Sequence, residues 1–215
     1  MTRWRRRHFL ATLAALPGLG FARGDPVSRR KAKFGEIASS VQMTLSLPRL
    51  IRLTDAEALA SIDSGFDTTL EFHVTLWEHG SREQVGHRVI VVKIGWNPFL
   101  KRYVVKTKGS TGWMQRTFTS RTAAIEAAVT LDRIRIAASD DLTRGTFEDG
   151  PYYFATVLAM RNPIKEDDSA SARRRRRGDR DLVWFGHLVE TLAGERARAE
   201  EVVHVRTNYF YLEAR

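Results

Sequence analysis

The chain of 215 residues contains no cysteine. This absence excludes disulfide bonds, thiolate-bound zinc, iron–sulfur clusters, a cysteine nucleophile and lipid attachment to an N-terminal cysteine. No segment after residue 22 reaches the 18 consecutive apolar residues that indicate a membrane-spanning helix. A content of 43% hydrophobic and 28% charged residues is typical of a globular protein and excludes a mainly disordered chain.

The sequence also lacks the common catalytic and metal-binding motifs. Its six histidines form neither HxH nor HExxH spacing, and the mature chain has no glycine-rich phosphate loop and no G-x-S-x-G. We therefore expect no cofactor and no bound metal, and we favour a non-enzymatic protein over an enzyme. Glu71 and His73 are the nominees for an acid–base pair, because residues two apart share one face of a strand. We favour the interpretation that both are ordinary polar residues that face outward from a strand.

Four acidic residues follow position 139 in one predicted loop: Asp140, Asp141, Glu148 and Asp149. They would bind Ca²⁺ only if the loop folded back on itself. Their spacing is not that of an EF-hand, which places ligands at alternate positions. Solvated loop acids are therefore the favoured interpretation.

Positive charge is concentrated at the N-terminus. The chain has 35 basic and 25 acidic residues, and residues 1–33 alone carry a net charge of +8 out of +10. A nucleic-acid-binding domain usually carries its charge on the folded face that meets phosphate. Because the remaining chain is nearly neutral, nucleic acid is disfavoured as a partner.

The first 22 residues have the three-part order of a secretory signal. Arg6 and Arg7 precede Phe9 and Leu10, an uncharged stretch follows, and small residues permit cleavage after Ala22. The paired arginines ahead of Phe-Leu resemble the twin-arginine motif of the bacterial route that exports folded proteins. The apolar run has 14 residues, fewer than a membrane span needs. We expect a periplasmic or secreted protein.

The pattern after the signal predicts a basic and polar tether over residues 23–40 and a single globular domain over 41–215. Alternating apolar residues predict strands, most clearly at Leu70, Phe72, Val74 and Leu76, and a last strand from Val203 to Tyr211. About eight short strands, mostly in hairpin order, favour a mainly β fold: an antiparallel sandwich or curved sheet with two or three peripheral helices. An α+β fold is the alternative.

Three helices are predicted from capping and periodicity. Thr54 opens a capping box before a short helix that ends at Ser64-Gly65. A second helix covers residues 121–131, with Thr119 or Ser120 as its N-cap. A third begins at Leu182, after a polar loop over residues 163–181.

The middle of the chain resembles a known family. The features that carry the resemblance are Ala58-Leu59 in the short helix, Tyr103-Val104-Val105, a return strand ending at Phe118, and a helix opening Ser120-Arg121-Thr122-Ala123-Ala124. This order is similar to a bacterial family of exported proteins described as domain of unknown function 4390, over about residues 43–160. The resemblance implies an envelope location and a mostly β fold, and it implies no activity.

The polar loop carries five consecutive cations: Arg173, Arg174, Arg175, Arg176 and Arg177. Such a run repels itself and stays exposed, so it would contact anionic lipid or polymer, or else serve only as a solvated loop. Trp184 and Phe185 beside it would face a partner or, as we favour, pack on the sheet. The main functional expectation is a non-enzymatic envelope protein that binds another envelope protein; a hydrolase-like enzyme and an anionic-surface binder are the alternatives.

Overall fold

The structure, a computed structural model, describes residues 27–81, 84–109, 112–163 and 199–214. The predicted export signal over residues 1–22 lies outside the described residues. The arginine run at 173–177 and the helix predicted from Leu182 lie outside them as well. These predictions therefore remain predictions.

The described residues form ten strands and two α-helices, which confirms the expected mainly β fold. One sheet has seven strands, in the spatial order Ser28–Arg30 (β1), Glu201–Thr207 (β10), Tyr153–Arg161 (β9), Thr68–Glu78 (β4), Gln84–Asn97 (β5), Arg102–Gly109 (β6) and Gly112–Phe118 (β7). The other has three strands, in the order Lys33–Ile37 (β2), Ser40–Ser46 (β3) and Thr130–Ala138 (β8). Neighbouring strands are antiparallel except β1 and β10, which are parallel.

The first helix is α1 (Ala56–Asp63), and its N-cap lies one residue after the predicted cap, Thr54. The N-cap is Asp55, whose carboxylate accepts a hydrogen bond from the Ala58 amide at 3.1 Å. The prediction of Thr54 as the cap was wrong, because the neighbouring carboxylate takes that role. The helix ends at Ser64-Gly65 as predicted, with Gly65 at a positive φ of 89°.

The second helix, α2 (Arg121–Val129), is capped by Ser120 as predicted. It ends two residues before Leu131, because Thr130 takes an extended conformation and begins β8. With eight and nine residues, neither α1 nor α2 approaches the length of a membrane span, and the described ranges hold no other candidate.

A single hydrophobic core joins the two sheets and both helices. The inward residues of β4 and β3 alternate with outward polar ones, as the period-two pattern predicts. The fully buried inward residues of these strands and of α2 are Val41, Met43, Leu45, Leu70, Phe72, Val74, Leu76, Ala124 and Ala128.

The N-terminal described residues differ from the tether predicted over 23–40. Residues 28–37 contain β1 and β2, one in each sheet. Ser28 lies opposite Val205 of β10, and Phe34 lies opposite Met43 of β3. The basic composition of this segment does not indicate strands, because the strands that pair with β1 and β2 come from other parts of the chain.

The last strand is shorter than predicted. β10 ends at Thr207, so Tyr209 and Tyr211 lie beyond it. The Thr207 hydroxyl accepts a hydrogen bond from the Ala155 amide at 2.9 Å, where a strand would have offered its main-chain carbonyl. The side chain thus interrupts the ladder between β9 and β10, and the chain pairs with β9 again only at an isolated bridge between Phe210 and Tyr153.

Arg161, at the end of β9, joins three parts of the chain although only 7% of the residue is exposed. Its guanidinium donates to the Asp55 carboxylate at 2.8 Å, to the Leu50 carbonyl at 3.2 Å and to the Glu200 carboxylate at 3.1 Å. The Ala58 amide and the Arg161 guanidinium hold the pKa of Asp55 below its usual range. This arginine therefore links the residue that caps α1 to the residue that precedes β10.

Candidate functional site

The predicted acid–base nominees are in direct contact on the outer face of β4. Glu71 Oε1 and His73 Nε2 are 2.7 Å apart, and both side chains are half-buried. On β5, His87 lies opposite Thr75, whose hydroxyl is 3.2 Å from His87 Nδ1. The centres of the two imidazole rings are 5.9 Å apart. The structure therefore brings together the two predicted residues and a histidine that sequence reasoning had not singled out.

In this cluster of Glu71, His73, Thr75 and His87, one hydrogen bond runs along β4 and another joins β4 to β5. Within the described ranges, no three His, Asp or Glu side chains lie close enough to hold a metal ion, and this includes the loop acids at 140–149. The acids divide between a short 3₁₀-helix, Ser139–Asp141, and a tight turn at 146–150. There Asp149 Oδ2 accepts a hydrogen bond from the Thr146 hydroxyl at 3.2 Å.

Burial lowers the pKa of His87 below its ordinary value of 6.5, and the nearby His73 lowers it further. Because the folded state disfavours protonated His87, this residue stabilises the fold above pH 6.5 and loses that contribution as the pH falls. We expect His87→Gln to reduce the loss of unfolding free energy between about pH 7.5 and about pH 5.5, by at most about 1.4 kcal/mol per pH unit. Urea denaturation at both pH values measures the effect.

The exposed histidine at the end of β4, His79, provides the control for removing an imidazole. The change in pH dependence should be larger in His87→Gln than in His79→Gln. An unchanged pH dependence in His87→Gln would contradict the assignment of this acid sensitivity to His87.

The open edge of the seven-stranded sheet is strand β7. Its residues 112–117 are exposed, including Trp113 at 49% and Met114 at 61%, and no other strand of the described ranges pairs with its outer side. Proteins usually protect an edge by shortening it or by placing proline and charge on it. The opposite edge strand, β1, has only three residues, whereas β7 has seven, no proline and one charge, Arg116. β7 is therefore the less protected edge.

The alternation of hydrogen-bonded pairs identifies the β7 amides that face outward. Gly109 and Gly112 lie opposite each other and are separated by two residues, so this flanking pair exchanges both of its main-chain hydrogen bonds. Counting along the strands, Lys106 and Gln115 form a pair without mutual hydrogen bonds. The N–H and C=O groups of Gln115 therefore point towards the open edge.

Cations surround this edge. Lys93 Nζ lies 5.7 Å from the centre of the Trp113 ring. Lys93 and Lys106 share the carboxylate of Asp67, at 4.0 and 3.8 Å respectively. Arg116 adds a third cation on β7 itself, so this end of the sheet has three cations against the one carboxylate that the two lysines share.

These features define a mainly β protein with two sheets, an exposed edge strand and a polar cluster of histidines. The model of the family described as "Domain of unknown function (DUF4390)" matches residues 45–150, which is 106 of the 215 residues. This match supports the family resemblance seen in the sequence. It includes β4 to β8 and both helices, and it ends before β9. No curated protein and no solved structure matches the chain.

Proposed function

We propose that this chain is an exported protein of the bacterial envelope that acts without catalysis, by binding another envelope protein along strand β7. Export is supported by Arg6 and Arg7 ahead of Phe9 and Leu10. A protein partner is supported by the length and exposure of β7, which is the observation that carries the proposal. An extended segment of the partner would add to the sheet as an eighth strand and satisfy the outward-facing groups of Gln115.

The charge around β7 defines the chemistry of that segment. Lys93, Lys106 and Arg116 favour a strand with acidic side chains, and the Trp113 ring offers an apolar contact to one of its alternate residues. The strand pairing supplies affinity, while these side chains select the sequence that binds.

The test is a photo-crosslinking residue at position 117, next to the edge, in the full chain produced in the bacterium of origin. We expect one discrete crosslinked periplasmic protein, and crosslinking should be lost in Gln115→Pro. Proline removes the outward N–H and places its ring in the path of the added strand, but it breaks no bond to β6. Gln115→Ala changes the same side chain, keeps the N–H, and should crosslink like wild type.

Circular dichroism and a melting curve should show that Gln115→Pro retains the wild-type fold. The proposal fails if the proline and alanine variants crosslink equally, or if no discrete product forms. Recovery of the chain from the cytosol with Met1 retained would contradict the export half of the proposal alone.

A further inference from the structure

A cavity of about 770 Å³ opens between β2, the loop before β9 and the segment that follows β10. Its size is within the range of small-molecule binding sites. It lies at the β1–β10 end of the seven-stranded order, whereas β7 forms the other end. Binding at this cavity would therefore be independent of the edge proposed above.

The polar part of the cavity is the ion pair of Arg144 and Glu36, and Glu213, an exposed acidic residue, also lines it. The Arg144 guanidinium donates to both carboxylate oxygens of Glu36, at 2.5 and 3.2 Å, and to the Glu213 carbonyl at 3.1 Å. The charged residues of the lining are thus two acids and one arginine, which disfavours an anionic ligand. The pair therefore presents a donor, the guanidinium, beside a carboxylate acceptor. Hydroxyl groups, which both donate and accept, match this arrangement.

The rest of the cavity wall is mainly aromatic. The rings of Phe34 and Phe210 are stacked with their centres 4.0 Å apart. The ring of Tyr211 meets the rings of Phe147 and Tyr152 edge to face, at 6.2 and 6.0 Å. Phe147 is 72% exposed at this wall, which leaves a large apolar face in water. Flat C–H faces of a ligand would cover such rings.

Main-chain hydrogen bonds fix the shape of the cavity before any ligand arrives. The Gly145 amide donates to the Leu212 carbonyl at 2.9 Å, and the Ala214 amide donates to the Gly145 carbonyl at 3.1 Å. Tyr153 and Phe210 exchange two more bonds, at 2.7 and 2.9 Å. A wall that is already ordered loses little conformational entropy on binding.

We infer that this cavity binds a neutral carbohydrate, whose hydroxyl groups bond to Arg144 and Glu36 and whose apolar ring face packs on Phe147. The paired charges and the aromatic wall are the two observations that carry the inference. The inference goes beyond the proposed function, since it assigns a ligand class to a different part of the molecule.

The experiment measures binding of maltotriose, cellotriose and chitotriose to the full chain by saturation-transfer NMR and calorimetry. Glucose 6-phosphate, galacturonic acid and a decaproline peptide are tested in parallel. We expect at least one neutral trisaccharide to bind with an affinity that salt does not change. Phe147→Ala should weaken that binding by about tenfold or more.

Phe99→Ala is the matched control, because Phe99 is 94% exposed and does not line the cavity. It should bind the trisaccharide like wild type. Three results would overturn the inference: no binding of any neutral trisaccharide at millimolar concentration, equal binding by Phe147→Ala and wild type, or preference for a charged sugar or for decaproline. None of these results bears on crosslinking at β7, so the two proposals fail separately.

Discussion

Replacing Arg161 with methionine is expected to lower the free energy of unfolding by about 2–4 kcal/mol. Methionine keeps much of the buried aliphatic length but removes every donor. The Leu50 carbonyl loses a buried partner, and the Asp55 and Glu200 carboxylates lose their shared cation. Asp55 and Glu200 recover part of this loss because water reaches them, which places the effect below that of a fully buried charge pair.

Urea denaturation at neutral pH measures this change, with Arg121→Met as the matched control. Arg121 pairs with Asp63 at 2.6 Å, but both side chains are about 40% exposed. An exposed pair contributes about 0–1 kcal/mol, so the control should differ little from wild type. Equal losses of unfolding free energy in the two variants would show that Arg161 contributes no more to stability than a surface ion pair does.

Replacing Gly145 with alanine is the second large effect, with an expected loss of about 2–3 kcal/mol of unfolding free energy. A Cβ atom at this position would lie 1.5 Å from the Gly150 carbonyl oxygen and 2.5 Å from its carbon. The clash is with main chain, which has no rotamer to move aside. The turn at 146–150 must open, and the bond from the Gly150 amide to the Thr146 carbonyl is lost with it.

Gly35, in β2, is the control for this substitution. A Cβ atom added there meets nothing within 4 Å. Gly35→Ala should change the unfolding free energy by less than about 0.5 kcal/mol. Denaturation curves of both variants test the contrast; a Gly145→Ala protein as stable as Gly35→Ala would mean that the turn accommodates a side chain.

Local sequence patterns were sufficient to predict the elements that pair with neighbours in the sequence. The alternation in β4, the β6–β7 hairpin around its turn, and the Ser120 cap each depend on residues a few positions apart. The period of the apolar residues and the chemistry of turns and caps therefore identify them. The same reasoning placed Glu71 and His73 on one face, which their 2.7 Å contact confirms.

Long-range partners account for what the sequence could not predict. β1 and β2 are strands because Val205 and Met43 lie beside them, and nothing in their basic composition indicates those neighbours. A lone arginine such as Arg161 gives no sign that three distant groups converge on it. The exposed edge depends on sheet order, so the predicted hairpin could not say whether β6 or β7 would be outermost.

The parallel pairing of β1 with β10 also orders events during synthesis. Ser28 leaves the ribosome long before Val205, the residue that it lies opposite. β1 therefore cannot pair until β10 has been synthesised. Until β10 is made, β9 lacks a neighbour on one side, and its unpaired N–H and C=O groups can bond to a strand of another chain. A polypeptide released early, before residue 201, would keep that exposed flank permanently and would be prone to aggregate.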